Sequence, residues 1–236
     1  MSRILVIGDI HEPATHPGYL AWCKHLHEKW ECNKVVMIGD VLDYHAISFH
    51  AREIDAPNSD QEYDLSHAAI ARWREAFPVV DAVCIGNHDE RVHRLAASVS
   101  IPARFIRSFS DLWKTPGWNW VREAVIDRCL FIHGTGFGGQ QPAATAARAA
   151  MMNVALGHVH SVGGVRRLST ASKDIWGMDT GCGVDIEAVG MRYGRNMISK
   201  PVLGAGVVLD GEPIHFAMPC RRGQEFHRSR FRRKKR

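Results

Sequence analysis

Short apolar runs along the chain alternate with stretches whose apolar residues recur every three or four positions. Ile4–Ile7 reads as a buried strand. Pro17–Trp30 is predicted as a helix, because Tyr19, Trp22, Cys23, Leu26 and Trp30 fall on one face and Pro17 suits a first turn. Val35–Ile38 is the next strand. Ser59-Asp60-Gln61-Glu62 has the form of a capping box. The helix it opens should turn Leu65, Ala69, Trp73 and Ala76 inward and end before Pro78. Val79–Ile85 is a third strand, and Asp89–Ala97 a short helix with Val92, Leu95 and Ala96 inward. Cys129–Ile132 and Val154–Leu156 are strands on either side of an Ala-rich helix, Pro142–Met152.

Beyond residue 160 the helical period fades and short alternating runs take over. Val202–Leu209, Asp210-Gly211 and Ile214–Met218 form a hairpin pattern with a D-G turn. This order predicts an α/β (α+β) fold of sheet layers flanked by helices. Residues 1–220 are expected to form one domain, and residues 221–236 a basic, disordered tail.

Composition changes this picture little. The chain has 236 residues, and its apolar and charged contents are ordinary for a globular protein. No apolar run approaches a membrane span, and the N-terminal run is too short for a signal peptide. A cytoplasmic site of action and no membrane partner are expected. None of the six cysteines forms a C-x-x-C pair, so free thiols are expected, with Cys84 and Cys129 in the core. Charge is unevenly spread. Residues 221–236 hold nine Lys/Arg against Glu225, a net of +8, which leaves −3 of the total +5 for residues 1–220. Such a tail reads either as a nucleic-acid contact or as a solubilising end.

Five polar clusters stand directly after apolar strands: Gly8-Asp9-Ile10-His11, Gly39-Asp40-Val41-Leu42-Asp43, Gly86-Asn87-His88-Asp89, His133-Gly134 and Gly157-His158-Val159-His160. Sites in open α/β sheets form at strand carboxyl ends, so these clusters should converge on one crevice. Aspartate and histidine suit divalent transition metals. Seven or eight such groups are too many for one catalytic ion that keeps a position open. They fit two ions sharing a carboxylate, which make water a nucleophile and clamp a displacement at phosphorus.

The ordered motif set resembles the calcineurin-like metallophosphoesterases, over Gly8 to His160, about two thirds of the chain. The resemblance implies a four-layer α/β/β/α sandwich of two mixed sheets flanked by helices. It also implies two divalent metal ions, manganese first, with iron, zinc, nickel or magnesium as alternatives. By position, Asp9, His11, Asp40 and His160 correspond to ligands of one ion. Asp40, Asn87, His133 and His158 correspond to ligands of the other, with Asp40 bridging. His88 corresponds to the family histidine that meets the phosphoryl oxygen or protonates the leaving group. Asp89 is expected to orient it, and Asp43 to sit just behind the ligands. Arg91 and Arg52 are candidates for substrate phosphate.

The second motif continues Asp43-Tyr44-His45, where the protein serine/threonine phosphatases have D-R-G, which argues against a phosphoprotein substrate. Asp179-Thr180-Gly181-Cys182 resembles the N-[TP]-G-[CS] turn that some members place after G-H-x-H, and reads as structural. Lone histidines are more often satisfied core residues than ligands, and His45, His50, His67 and His93 are read that way. Ser98–Val121 is long for a connection. Its arginines and tryptophans suit either a substrate wall or plain packing, the latter expected for Trp118 and Trp120.

The functional expectation is a dinuclear phosphodiesterase acting on nucleotides or nucleic acid. A phosphomonoesterase acting on a small phosphate or phosphoprotein uses the same chemistry and is the alternative. A non-catalytic scaffold is more remote, since no motif residue is missing.

Overall fold

The computed structural model describes residues 1–49, 55–185, 188 and 199–219. Two mixed sheets face one another. The first has six strands: β1 (Arg3–Ile7), β2 (Lys34–Met37), β3 (Val80–Cys84), β4 (Trp118–Val121), β10 (Gly204–Leu209) and β11 (Glu212–Ala217). Their order is β11-β10-β1-β2-β3-β4. The run β1 to β4 is parallel, and the closing hairpin joins antiparallel to β1. The second sheet holds β5 (Glu123–Ile126), β6 (Cys129–Ile132), β7 (Asn153–Leu156), β8 (Gly164–Ser169) and β9 (Asp174–Asp179), in the order β5-β6-β7-β9-β8.

Strand alternation builds the layers. Ile4, Val6, Val36, Ile38, Ala82 and Cys84 face Cys129, Phe131, Ala155, Trp176 and Met178 of the second sheet. The intervening residues Leu5, Ile7, Val35, Met37 and Val83 meet α1 (Tyr19–Lys29) and α2 (Ser59–Ala76). Both faces of the first sheet are thus covered, which is why its strands read as unbroken apolar runs. On the far side, Ala143, Ala146 and Ala147 of α5 (Pro142–Ala150) pack on Val154, Leu156 and Ile175. The four-layer order helix–sheet–sheet–helix follows. Cys84 and Cys129 are buried free thiols of the central layer, and Cys23, Cys32 and Cys182 are free as well. No helix among the described residues is long and apolar enough to cross a membrane.

Several local expectations are corrected. Helix α1 starts at Tyr19, because a turn in which the Tyr19 and Gly18 N–H groups bond His16 occupies the Pro17 position. The capping box of α2 is Asn58 with Gln61, not Ser59 with Glu62. The Glu62 carboxylate instead accepts the N–H groups of His45 and Ala46. Glu62, Ser66, Ala69, Ile70 and Trp73 form the inward face of α2, while Leu65 is 52% exposed. In α3 (Arg91–Ser98), Arg91 and Ala96 are buried, while Val92 and Leu95 are half-buried.

The stretch Ser98–Val121 contains α4 (Phe109–Trp113) and ends in β4 at the sheet edge. Its tryptophans pack. The Trp118 indole donates to Phe77 O, and Trp120 stacks on Phe109. The expected hairpin is present, with Asp210 and Gly211 both at positive φ as a two-residue turn requires. Arg52, His50 and the tail at 221–236 lie outside the described residues.

Candidate metal centre

The five polar clusters do converge, three from the first sheet and two from the second. Asp9 and His11 follow β1, Asp40 and Asp43 follow β2, and Asn87 and His88 follow β3. His133 follows β6, and His158 and His160 follow β7. The loops are held in conformations that cost energy. His11, Asp40 and His158 all have positive φ, which non-glycine residues rarely adopt. Two glycines permit the close approach: a Cβ on Gly86 would stand 2.1 Å from Asp40 Oδ1, and one on Gly157 2.0 Å from Asp9 Oδ1.

Two groups of donors share one carboxylate. Asp9, His11, Asp40 and His160 form the first; Asp40, His133 and His158 form the second. His160 Nε2 lies 3.1 Å from Asp9 Oδ2 and 3.1 Å from His11 Nε2. Asp40 Oδ2 is 3.4 Å from His11 Nε2 and 3.3 Å from His133 Nε2. Asn87 Oδ1 is 3.0 Å from His133 Nε2, and His158 Nδ1 is 3.2 Å from the same atom. Backbone N–H groups fix the carboxylates: His158 N donates to Asp9 Oδ2 and His88 N to Asp40 Oδ1, each at 2.8 Å.

This arrangement fits divalent cations. His133 Nδ1 lies 3.2 Å from the Ile38 carbonyl, which can only accept, so Nδ1 carries the proton and leaves the Nε2 lone pair turned to Asp40. Asp43 Oδ1, 3.1 Å from His11 Nδ1, does the same for His11. Asp9 Oδ1 is buried without a hydrogen-bond partner among the described residues, an acceptor that a bound cation would satisfy.

The electrostatics agree. Burial works to lower His133, but the Asp40 and Asp9 carboxylates push it up to about 10. Burial would raise Asp40, yet His133, His88 and His11 hold it well below the ordinary range. Burial and the neighbouring imidazoles lower His11 and His158. A pocket this negative answers a cation as readily as a proton.

One expected role is overturned. Asp89 does not orient His88: its two oxygens accept from Leu42 N at 3.0 Å and Gly86 N at 2.8 Å, so it clamps the second and third loops together. Burial and the nearby Asp40 charge push its carboxyl up to about 7. Asp43 holds His88 instead, with His88 Nδ1 at 2.9 Å from its carbonyl and 3.2 Å from its Oδ1. Burial opposes it, but hydrogen bonds from His11 and His88 keep Asp43 below the usual carboxylate range.

Arg91 comes to the centre but is turned inward. Its Nη1 donates to the Asp43 and Tyr44 carbonyls, and its Nη2 stands 3.1 Å from His88 Nε2. Sequence reasoning missed Arg94, whose guanidinium donates to Asn87 O, and Glu12. Glu12 pairs with Val41 and Asp43 through its main chain and accepts from the Trp73 indole through its carboxylate, tying the first motif to the second and to α2. A charged residue directly after D-x-H was the available signal. Asp179-Thr180-Gly181-Cys182 is structural, with Asp179 Oδ1 accepting from Ala143 N. His45 is buried, but its Nε2 has no hydrogen-bond partner among the described residues, so it is not the satisfied core histidine expected.

The sequence model of the calcineurin-like phosphoesterases matches residues 2–175. The chain belongs to this family. It is therefore a metal-dependent phosphoric ester hydrolase. Among solved structures it is similar to a metallophosphoesterase from Sphaerobacter thermophilus, at 15% identity and TM-score 0.47, over 92% of this chain and 87% of that one. It is also similar to the E. coli phosphoesterase YfcE, at 15% identity and TM-score 0.46, over 91% and 98% of the two chains. Vps29 from Entamoeba histolytica in complex with zinc has 14% identity and TM-score 0.45, over 91% and 92%. Comparison with curated proteins finds no significant match.

Proposed function

We propose that this phosphoesterase is a dinuclear phosphodiesterase acting on nucleotides or nucleic acid. The supporting observation for two cations is Asp40, whose carboxylate belongs to two of the three donor groups, the third being His11, Asp43 and His88. Asp9, His11, Asp40 and His160 would hold one cation; Asp40, Asn87, His133 and His158 would hold the other, with manganese the first choice of metal. Divalent cations at these sites supply Lewis acidity, polarising a phosphoryl oxygen and making water a nucleophile at neutral pH.

The protein's own contribution is placement. Asp43 fixes the His88 ring, which faces the phosphoryl oxygens or the departing alkoxide. The diester preference rests on charge. The guanidinium groups of Arg91 and Arg94 both donate to main-chain carbonyls, which limits what they offer a substrate. A diester carries one negative charge and a monoester nearly two, so a centre with few uncommitted cationic side chains suits the diester.

Metal-stripped protein refilled with manganese should hydrolyse bis-p-nitrophenyl phosphate in clear preference to p-nitrophenyl phosphate. The reverse preference would make a phosphomonoesterase the better reading.

A further inference from the structure

The surface that α3 leads to differs from the rest of the molecule in charge. Between Arg91 and Ser110 the chain carries four arginines, at 91, 94, 104 and 107, and no aspartate or glutamate. The other residues up to 220 carry a net charge of −7. Arg94, Arg104 and Arg107 are exposed, and Arg104 and Arg107 make no hydrogen bond or ion pair with a described residue. The acidic residues that flank the stretch are engaged: Glu90 pairs with Arg122, and Asp111 accepts from the Ser108 hydroxyl.

Between its arginines the same surface is apolar. Residues 97–105 are exposed without a break. Phe105 is 75% exposed, Val99 67% and Ile101 46%. Trp113, Trp118 and Trp120 pack on the core, which leaves Phe105 as the exposed ring of the stretch. Main-chain bonds fix its place: Ile101 N–H donates to Ala96 O at 2.8 Å, and Phe105 N–H to Pro102 O at 3.0 Å, in a 3₁₀ turn (Ala103–Phe105) that packs on α3. A single exposed apolar residue needs no explanation, but a run of them set among like charges does. Helix α3 joins this surface to the metal centre. Arg91 at its start stands beside His88, and Arg94 donates to the carbonyl of Asn87, a candidate ligand. Its eight residues, at about 1.5 Å each, put its far end roughly 12 Å from that start.

We infer that the surface from Arg94 to Arg107 holds a single-stranded nucleic acid whose chain runs on to the metal centre, with Phe105 stacking an unpaired base and Arg104 and Arg107 meeting backbone phosphates. Stacking on an aromatic ring tolerates any base, and arginines beside it neutralise the strand. A nucleic-acid strand continues beyond the phosphate being cut, so such a substrate is gripped outside the centre, where a small phosphate ester does not reach. The cationic groups are then placed along the strand, while Arg91 and Arg94 are tied to main-chain carbonyls nearer the metals. This inference deepens the phosphodiesterase reading and rests on it for the role of the bound strand as substrate.

Fluorescence anisotropy of a labelled oligothymidylate of about twelve residues tests it on the full-length, manganese-loaded protein, with phosphorothioate links that block turnover. The double variant Arg104→Ala/Arg107→Ala should weaken binding about tenfold at low salt and flatten its log–log salt dependence by about 1.4, at about 0.7 for each of two phosphates. Phe105→Ala should weaken binding about fivefold or more with the slope unchanged, and Phe105→Trp should restore it. All three variants should turn over bis-p-nitrophenyl phosphate as the wild type does, because that ester is too short to touch the surface. No binding by the wild type, or wild-type affinity and slope in both alanine variants, would overturn the inference. So would a loss seen only with vesicles of phosphatidylserine and phosphatidylcholine, which would make the surface a membrane contact. Binding reports on the strand whichever ester is turned over, so a monoester preference in hydrolysis would remove the phosphodiesterase reading and leave the strand contact to be decided by these variants.

Discussion

At the residue scale the centre is a set of lone pairs held by second partners. His11 and His133 are aimed by Asp43 and the Ile38 carbonyl, so each presents its Nε2 to Asp40. His88 also leans on Asp43, but its Nε2 faces Arg91 and stays 4.0 Å from Asp40. That separates His88 from the ligand set. His88→Ala should therefore retain its metals by elemental analysis. It should lose about 10²–10⁴ in kcat on esters with poor leaving groups, and less on an activated aryl ester. Equal loss on both would assign His88 to charge stabilisation and not to proton transfer.

At the element scale, strands deliver the chemistry and tertiary contacts finish the helices. Helix α5 has no side-chain cap of its own at Gln141; the Asp179 carboxylate, arriving from the end of β9, accepts its Ala143 N–H. Burial pushes that carboxyl up to about 6, against the pull of the Ala143 hydrogen bond. A raised carboxyl holds its proton more tightly in the folded state, so its contribution to stability falls as pH climbs from about 4 through 6. Asn at this position keeps the acceptor and carries no charge, and it restores the N-[TP]-G-[CS] pattern. Asp179→Asn should stabilise the protein by about 1–2 kcal/mol at pH 8 and by little at pH 4.5, measured by urea denaturation. A gain equal at both pH values would mean that charge burial is not the cause.

At the scale of the whole molecule, the two sheets share one apolar layer, and the carboxyl ends of strands from both meet at one edge of it. Neither sheet holds a full ligand set. Losing the inter-sheet packing of Ile4, Val36, Phe131 and Met178 would therefore disperse the centre along with the core. The basic segment at 221–236 carries a net charge of +8, against −3 for the remainder. If it engages nucleic acid, deleting 221–236 should weaken binding to single-stranded DNA and flatten its salt dependence, by about 0.7 in log–log slope for each phosphate that the segment neutralises. Unchanged binding and slope would leave the segment no part in nucleic-acid recognition.

Strands β1, β2, β3, β6 and β7, the donor types of the five clusters and the D-G hairpin were legible in the sequence, because each is set by local rules: apolar runs, residue chemistry and turn stereochemistry. Leu65 and Glu62 were misread for one reason. Helical periodicity states which residues share a face, but not which face meets the core or which polar residue the neighbouring loop needs. The role of Asp89 was misread because adjacency to His88 in the chain says nothing about where a buried carboxylate finds its donors. Tertiary structure alone decided that Asp43 and not Asp89 steadies His88, and that Arg91 turns inward. Which residues can offer a donor atom is a property of side-chain chemistry and was written in the chain; hydrogen-bond partners belong to pairs of distant residues, and only folding brings those pairs together.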